Sequence, residues 1–151
     1  MADMAYHPAP CPGDARFSIV IPTRNNLSYI KQCIESIETH SRFPHQIIIH
    51  VNEGSDGTLD WVRQKALAHT HSPTNTGICY GVNAAASLAH TPYLAYLNDD
   101  MYVCPDWDAH LLEEINRLQT SSWFLSSTLI ESAGTGNPCV IPADYGKTIE
   151  T

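Results

Sequence analysis

The chain has 151 residues, of which 43% are hydrophobic and 16% are charged, and its formal net charge is −8. This length and composition predict one folded domain rather than a disordered segment. The negative charge argues against a nucleic-acid backbone as a partner, and no apolar run approaches the roughly 20 residues of a membrane span. The five cysteines are scattered without a CxxC pair, and no apolar signal core opens the chain. We therefore expect a reduced, cytoplasmic protein with buried thiols.

The predicted elements, taken in chain order, alternate between strand and helix. The run 17–21 is short and continuously apolar, as in a strand that is buried on both faces of a parallel sheet. Leu27, Ile30 and Ile34 recur at helical spacing, and we expect Asn26 to be the N-cap of that helix. The sequence predicts a loose leader over residues 1–16, strands over 17–21, 45–51, 93–97 and 123–130, helices over 27–37, 59–68, 80–89 and 107–119, and a polar loop, or a loop around a short strand, over 69–76.

This alternation predicts an α/β domain with a mostly parallel, Rossmann-like sheet flanked by helices. Ligands bind to such sheets at the carboxyl ends of the strands. Polar turns follow the predicted strands at Ile21, Val51 and Leu97. We therefore expect the functional residues to lie in these turns.

The sharpest signal is the turn Asn98-Asp99-Asp100. Adjacent carboxylates repel each other unless a cation or a hydrogen-bond donor offsets the charge. In proteins Mg²⁺ commonly uses one or two carboxylates together with substrate phosphates. The pattern therefore predicts a divalent metal site, with a solvated acidic turn before a helix as the alternative.

Two other segments carry weaker signals. In 52–55 the acid Glu53 could accept hydrogen bonds from a base or a ribose, and Gly54 allows close backbone approach. In 75–83 small and amide residues could leave backbone N–H groups free for phosphate oxygens; they are Asn75, Gly77, Gly81 and Asn83. An ordinary βα turn and a helix start selected for packing are the respective alternatives.

Several known motifs are absent from the sequence. It contains no GxGxxG, no GxxxxGK(S/T) and no GxSxG, which argues against a dinucleotide site, a P-loop and a hydrolase elbow. His69, His71 and Cys79 match no standard zinc-finger spacing. The remaining signals therefore lie in the polar turns.

Four segments occur in an order that indicates a family more strongly than any single segment does. Residues 17–25, 51–58, 75–83 and 93–100 resemble, in turn, the VIPTYN-like loop, the VDDGSTDGT segment, the NxGxxxGxN segment and the YIxFLDxD strand of glycosyltransferase family 2. The resemblance extends over about 17–130. It implies the GT-A fold of that family.

The resemblance also implies a function. The family transfers a sugar, with inversion, from a nucleotide-diphosphate donor of the UDP, GDP or dTDP type to an acceptor, which here would be a glycan, a lipid or a protein. Mg²⁺ or Mn²⁺ would be the cofactor, with Asp100 as its ligand. Glu53 would contact the nucleobase, and Asp99 would face the ribose or the donor sugar. The other donor-binding residues that the resemblance implies are Pro22, Thr23, Arg24, Asn25, Asn75, Gly77, Asn83 and Asn98.

The chain departs from the family pattern in both composition and length. Asn52 and Asn98 stand where the family has acids, and Glu53 is one methylene longer than the family's Asp. The family's acceptor-binding region, which supplies the catalytic base, lies beyond the strand after the DxD motif. The acids that follow that strand here, none of them in a recognisable base motif, are Glu131, Asp144 and Glu150. The catalytic base is therefore unknown, and we expect a truncated GT-A domain over 17–151 whose open sheet forms a homo-oligomer.

Three other functions remain as alternatives. A non-catalytic sugar-nucleotide-binding fragment, or an inactive remnant, would bind a donor without transferring its sugar. A nucleotidyltransferase has a related architecture but would carry glycines near Ile21, which the sequence lacks. A plain α/β scaffold for protein partners leaves the ordered motifs unexplained.

Overall fold

A computed structural model describes residues 3–131 and 139–142. The described residues up to His110 form one compact unit, and those from Leu111 form a second. The strands are β1 (Ala5–His7), β2 (Phe17–Arg24), β3 (Gln46–Asn52), β4 (Ala68–Ser72), β5 (Tyr93–Tyr96), β6 (Leu129–Glu131) and β7 (Val140–Pro142). The helices are α1 (Leu27–His40), α2 (Thr58–Gln64), α3 (Ile78–Ala86) and α4 (Trp107–Arg117).

The first unit is built on a five-stranded sheet with the strand order β1-β4-β3-β2-β5. All of its strands run parallel except β1, which is antiparallel to β4. In β2, Ile19 lies opposite Ile47 of β3 on one side and Ala95 of β5 on the other. A core cluster between the sheet and α3 contains Val20, Ile48, Ala68 and Ala85. The predicted α/β fold with a mostly parallel sheet is confirmed.

β2 continues through Pro22 to Arg24, beyond its predicted end. All of its residues except the last are buried, as expected for a central strand. Proline has no N–H to donate, but β5 pairs with β2 only as far as Val20. One side of β2 therefore has no partner strand at the proline, where a missing donor is tolerated. As a result Thr23 and Arg24 are fixed by the sheet rather than by a turn.

The expectation of a loose leader is wrong for Ala5–His7, which form the edge strand β1. These residues are exposed, so no pattern of burial marks the strand in the sequence. The His7 ring stacks on the ring of His69, with their centroids 4.4 Å apart. Pairing with β4 therefore orders a segment that the sequence alone leaves undefined.

β4 lies within the segment interpreted as a polar loop, so the short-strand alternative is the correct one. Its residues His69, Thr70 and Ser72 are buried although they are polar. The strand pairs in parallel with β3, from Ile48 opposite Ala68 onward. Strand signals in sequences are apolar and β-branched, which is why the polar composition of β4 conceals it.

The four predicted helices are present, although α2 ends at Gln64 instead of near Ala68. Asn26 occupies the N-cap position of α1 but makes no capping side-chain hydrogen bond. The N–H of Leu27 instead donates to Asp56 Oδ2 at 2.8 Å. The predicted N-cap position is therefore confirmed, but a carboxylate from the loop after β3, not the Asn26 side chain, makes the capping hydrogen bond. No helix in the described part of the chain is both long enough and apolar enough to cross a membrane.

The described part of the second unit contains the short parallel pair β6 and β7, in which Leu129 lies opposite Val140. The strand predicted over 123–130 is largely wrong, because regular structure begins only at Leu129. The side chain of Phe124 is 92% exposed, so the apolar residues of this run are not buried as a strand. Most of the glycine- and proline-rich remainder, with Asp144 and Glu150, lies outside the described residues.

Candidate functional site

Side-chain hydrogen bonds join the ends of the parallel strands of the first unit and the loops that follow them. We call this region, formed by residues 22–25, 52–56, 73–77 and 97–100, the carboxyl edge. The residues predicted from the sequence all lie in it or, for Asn83, in the helix that follows it: Pro22, Thr23, Arg24, Asn25, Glu53, Asn75, Gly77, Asn83, Asn98, Asp99 and Asp100. The topology therefore brings them to one side of the sheet.

Glu53 joins the end of β2 and the first residue after it to the loop after β3. Arg24 Nη2 donates to Glu53 Oε1 at 3.0 Å, and Asn25 Nδ2 donates to Oε2 at 3.0 Å. Asn25 Oδ1 in turn accepts the N–H of Ser55 at 2.9 Å. The side chain of Glu53 is still 27% exposed. Each carboxylate oxygen has a second lone pair, so Glu53 is held in place and can still accept a hydrogen bond from a ligand.

The turn that carries Glu53 has an unusual backbone. Glu53 has a φ of 63° and Gly54 a φ of 78°, both in the left-handed region. A Cβ at Gly54 would lie 2.7 Å from Val51 Cγ1 and 2.9 Å from Leu59 Cβ. Glycine is therefore required here by packing within the chain, rather than by the approach of a ligand. For a residue with a Cβ such as Glu53, this conformation persists only where the surroundings fix it.

Asn52 fixes the loop between β4 and α3. Its buried Oδ1 accepts hydrogen bonds from the Ser72 hydroxyl at 3.0 Å, the Thr76 N–H at 2.9 Å and the Thr76 hydroxyl at 3.1 Å. Within the same loop, Asn75 Oδ1 accepts the N–H of Gly77 at 2.9 Å. The amide of Asn52 makes these contacts without placing another negative charge beside Glu53.

Gly81 has a different role from the one the sequence indicates. A Cβ at this position would lie 2.2 Å from Cδ2 and 2.8 Å from Nε2 of His50. The glycine therefore lets α3 pack onto the imidazole, and packing rather than phosphate binding accounts for it. Burial lowers the pKa of His50, and its Nδ1 lies 2.8 Å from the Thr70 hydroxyl. Asn83, two residues further along α3, is exposed.

The two adjacent carboxylates differ in their contacts. Thr23 donates its hydroxyl hydrogen to Asp99 Oδ2 at 2.6 Å, which joins the end of β2 to the turn after β5. Asp100 is exposed and forms no hydrogen bond or ion pair with the described residues. The Tyr96 hydroxyl donates to the side chain of Asn98. Asp99 is thus anchored in the fold, whereas Asp100 is available to a ligand.

The acidic turn affects a buried thiol next to it. Burial, together with the negative charges of Asp99 and Asp100, raises the pKa of Cys33 to about 12. The Cys33 thiol donates to the carbonyl of Asn98 at 3.7 Å. It therefore stays protonated and supports the turn. The expectation of buried thiols holds for Cys33 but is wrong for three others, which are exposed: Cys79, Cys104 and Cys139.

Two contacts at the carboxyl edge could not be predicted from the sequence. The contact between Thr23 and Asp99 joins residues 76 positions apart, and it requires β2 and β5 to be neighbours. His71 Nε2 lies 3.0 Å from the carbonyl oxygen of Glu53, a contact that depends on the register of β4. Neither pairing follows from motif spacing, because both arise from strands that are brought together only in the folded sheet.

A mostly parallel sheet of this strand order, flanked by helices and ending in polar loops and an acidic turn, matches the GT-A fold. The chain belongs to glycosyl transferase family 2, whose family model matches residues 18–136. The predictions of the family and of the fold class are both confirmed.

Several known proteins are similar to this chain. It is 30% identical over 93 residues to a chondroitin synthase of Pasteurella multocida (strain Pm70), and equally to a hyaluronan synthase of Pasteurella multocida. Its fold is similar to that of S. aureus TarS 1–349 in complex with UDP, with a TM-score of 0.58 and 23% identity over 68% of this chain. It is also similar to the mannosyltransferase PcManGT from Pyrobaculum calidifontis in complex with GDP-Man and Mn²⁺, with a TM-score of 0.62 and 20% identity over 84% of this chain.

These similarities cover only part of each relative. The match with the chondroitin synthase covers 59% of this chain and 10% of that protein. The matches with the two solved structures cover 32% and 39% of those chains. The chain therefore shares the family and the fold of these proteins over a part of their length.

Proposed function

We propose that this chain binds a nucleotide-diphosphate sugar at the carboxyl edge and serves its transfer, with inversion, to a glycan, lipid or protein acceptor. The observation that carries the proposal is the convergence at one edge of Glu53, held by Arg24 and Asn25, and of the exposed Asp100 beside the anchored Asp99. Membership of glycosyl transferase family 2 supports sugar transfer as the class of reaction. Neighbours of the same fold in complex with UDP and with GDP-Man support a nucleotide-linked donor.

The proposed donor site assigns a role to each part of the edge. Glu53 would accept a hydrogen bond from the nucleobase, using the acceptor capacity that Arg24 and Asn25 leave free. Asp99 would face the ribose or the donor sugar. The residues that would line the rest of the nucleotide pocket are Pro22, Thr23, Asn75, Gly77, Asn83 and Asn98.

Asp100 would hold Mg²⁺ or Mn²⁺, with Asp99 beside it. No three His, Cys, Asp or Glu side chains gather into one group among the described residues. Two adjacent carboxylates nevertheless fit a hard divalent ion that completes its shell with water and phosphate oxygens. When bound, such an ion would neutralise the charge that develops on the diphosphate as the glycosidic bond breaks. A neighbour of the same fold in complex with Mn²⁺ supports this assignment.

The second candidate function is donor binding without transfer. Transfer needs a base that removes the proton of the attacking acceptor hydroxyl. The proposal already uses Glu53, Asp99 and Asp100 at the carboxyl edge, and Asp56 accepts hydrogen bonds that cap helices. No described carboxylate at this edge is therefore left to act as that base. Measurement of turnover separates the two candidates.

Calorimetric titration of the 151-residue chain with UDP, GDP and dTDP, with and without Mn²⁺, tests donor binding. The chain should bind one nucleotide in preference to the others, and Mn²⁺ should strengthen the binding. Asp100→Asn should weaken Mn²⁺-dependent binding at least about tenfold, since even outer-shell changes around metals cost that much. Asp14→Asn is the matched control, because Asp14 is exposed before β2, at the opposite end of the strand.

Equal binding by Asp100→Asn and the unaltered chain would contradict the metal assignment. Donor hydrolysis or transfer by the unaltered chain would select the transferase, whereas binding without any turnover would select the non-catalytic candidate. The absence of binding to all three nucleotides, in an otherwise folded chain, would contradict the proposed function.

A further inference from the structure

No motif in the sequence assigns a role to His71. It lies next to the end of β4, opposite Val51 of β3 and Ala5 of β1. Its Nε2 is 3.0 Å from the carbonyl oxygen of Glu53. A carbonyl oxygen can only accept, so Nε2 carries the hydrogen and donates it. The ring of His71 therefore contacts the main chain of the residue that the proposed function places at the nucleobase.

β4 holds the main chain of Glu53 on both sides. The N–H of Glu53 donates to the Ser72 carbonyl at 2.9 Å, and its carbonyl accepts from His71. Between these two contacts Glu53 adopts its left-handed φ of 63°. Residues with a Cβ keep such a conformation only where neighbouring groups determine it. His71 supplies one of the two main-chain contacts that do so here.

The orientation of the carboxylate depends on this main-chain conformation. Arg24 and Asn25 hold the far end of the Glu53 side chain, whereas His71 holds its near end through the peptide. A change of φ at Glu53 would redirect its Cα–Cβ bond and thereby move the carboxylate away from its donors. Two separate sets of contacts therefore fix a single direction for the acceptor oxygens.

We infer that His71 is a positioning residue for nucleobase selection, acting through Glu53 without touching the donor. The inference rests on the proposed function, in which Glu53 accepts a hydrogen bond from the nucleobase. Nucleotides that differ in their base share the diphosphate and its metal, so damage to those parts weakens all of them alike. A carboxylate that has lost its fixed direction instead weakens the preferred base selectively, because hydrogen bonds are directional.

The test compares the UDP and GDP affinities of four chains by calorimetry in the presence of Mn²⁺. The chains are unaltered, His71→Leu, His71→Gln and His90→Leu. We define the ratio as the affinity for the preferred nucleotide divided by the affinity for the other. His71→Leu should lower this ratio about fivefold, which corresponds to the loss of one hydrogen bond. His71→Gln keeps an N–H donor at similar reach and should largely restore the ratio. His90 is exposed at the opposite end of the sheet, so His90→Leu should leave the ratio unchanged.

Asn25→Asp tests the same orientation from the other end of the side chain. It keeps the acceptor for Ser55 but replaces the donor to Glu53 with a second carboxylate, so the ratio should fall here as well. This variant also keeps the inference testable if His71→Leu does not fold. In that case the inference requires that Asn25→Asp lowers the ratio and that His71→Gln keeps it. The inference would be overturned if the ratio were unchanged in His71→Leu or in Asn25→Asp, or if both affinities fell equally. The proposed function would survive that result. No binding of either nucleotide by the unaltered chain would overturn the proposed function and this inference with it.

Discussion

At residue 81, the lack of a side chain allows α3 to approach the sheet as closely as it does. His50, in the middle of β3, is fully buried, and its ring lies where a Cβ of residue 81 would project. The sequence shows Gly81 only as part of a pattern of small residues before and within a helix. Its neighbour in space is 31 positions away along the chain, so spacing alone cannot distinguish a packing glycine from one that leaves room for a phosphate.

Gly81→Ala should lower the free energy of unfolding by about 2 kcal/mol, the difference between the cost of overpacking and the gain in helix propensity. Alanine has a helix propensity about 1 kcal/mol better than that of glycine. Overpacking of a core typically costs about 1–3 kcal/mol, and a contact of 2.2 Å with a buried ring lies at the severe end of that range. The measurement is urea unfolding of the variant beside the unaltered chain.

Gly13→Ala provides the matched control for this measurement. A Cβ at Gly13 would meet nothing within 4 Å, so the variant should change the free energy of unfolding by less than about 0.5 kcal/mol. If Gly81→Ala were as stable as Gly13→Ala, the packing role of Gly81 would be wrong.

At the scale of elements, Asp56 connects the loop after β3 to the starts of two helices. Its Oδ2 accepts the N–H of Leu27 at the start of α1, and its Oδ1 accepts the N–H and the hydroxyl of Thr58 at the start of α2. Partial burial alone would raise the pKa of Asp56, but these hydrogen bonds outweigh it and lower the pKa. The ionised carboxylate therefore stabilises the fold.

Asp56→Ala should lower the free energy of unfolding by about 1–2 kcal/mol at neutral pH, the usual cost of removing a helix cap. Because the pKa of Asp56 is lower in the folded chain than in the unfolded chain, this stabilisation is present above the ordinary value of 3.8 and is lost as the pH falls through the folded pKa. Urea unfolding at several pH values should give a constant difference from the unaltered chain between about pH 8 and 5, and a smaller one below 3.8.

The control for Asp56→Ala is Asp14→Ala, which removes an exposed carboxylate outside the helix starts. It should leave the free energy of unfolding nearly unchanged at every pH. If the two variants behaved alike, or if the deficit of Asp56→Ala grew on acidification, the capping role of Asp56 would be refuted.

Whether an element could be predicted from the sequence depended on whether it carries apolar residues at strand or helix spacing. β2, α1 and β5 follow from the sequence because their apolar residues recur at strand or helix spacing. β4 does not, because His69, Thr70 and Ser72 are buried as polar groups, and sequence patterns treat polarity as exposure. β1 does not either, because its residues are exposed and its only definition is pairing with β4.

For the molecule as a whole, the order of the motifs was the strongest signal, because it reflects the topology of the sheet. Each motif contains the end of a parallel strand or follows one, so the fold collects segments far apart in sequence at one edge. The sequence therefore predicted which residues lie there. It could not predict how they hold one another, since the contacts from Thr23 to Asp99 and from His71 to Glu53 depend on strand neighbours and register.

The proposed function requires a nucleotide diphosphate and a divalent ion to bind together at the carboxyl edge. Nuclear magnetic resonance tests it most directly, because paramagnetic Mn²⁺ broadens the amide signals of nearby residues. With UDP or GDP present, we predict selective broadening at Thr23, Asp99 and Asp100, while the signals of Asp14 and His90 at the opposite end of the strands stay sharp. Selective broadening centred elsewhere, or nucleotide-independent broadening without preference for this edge, would contradict joint binding at the carboxyl edge.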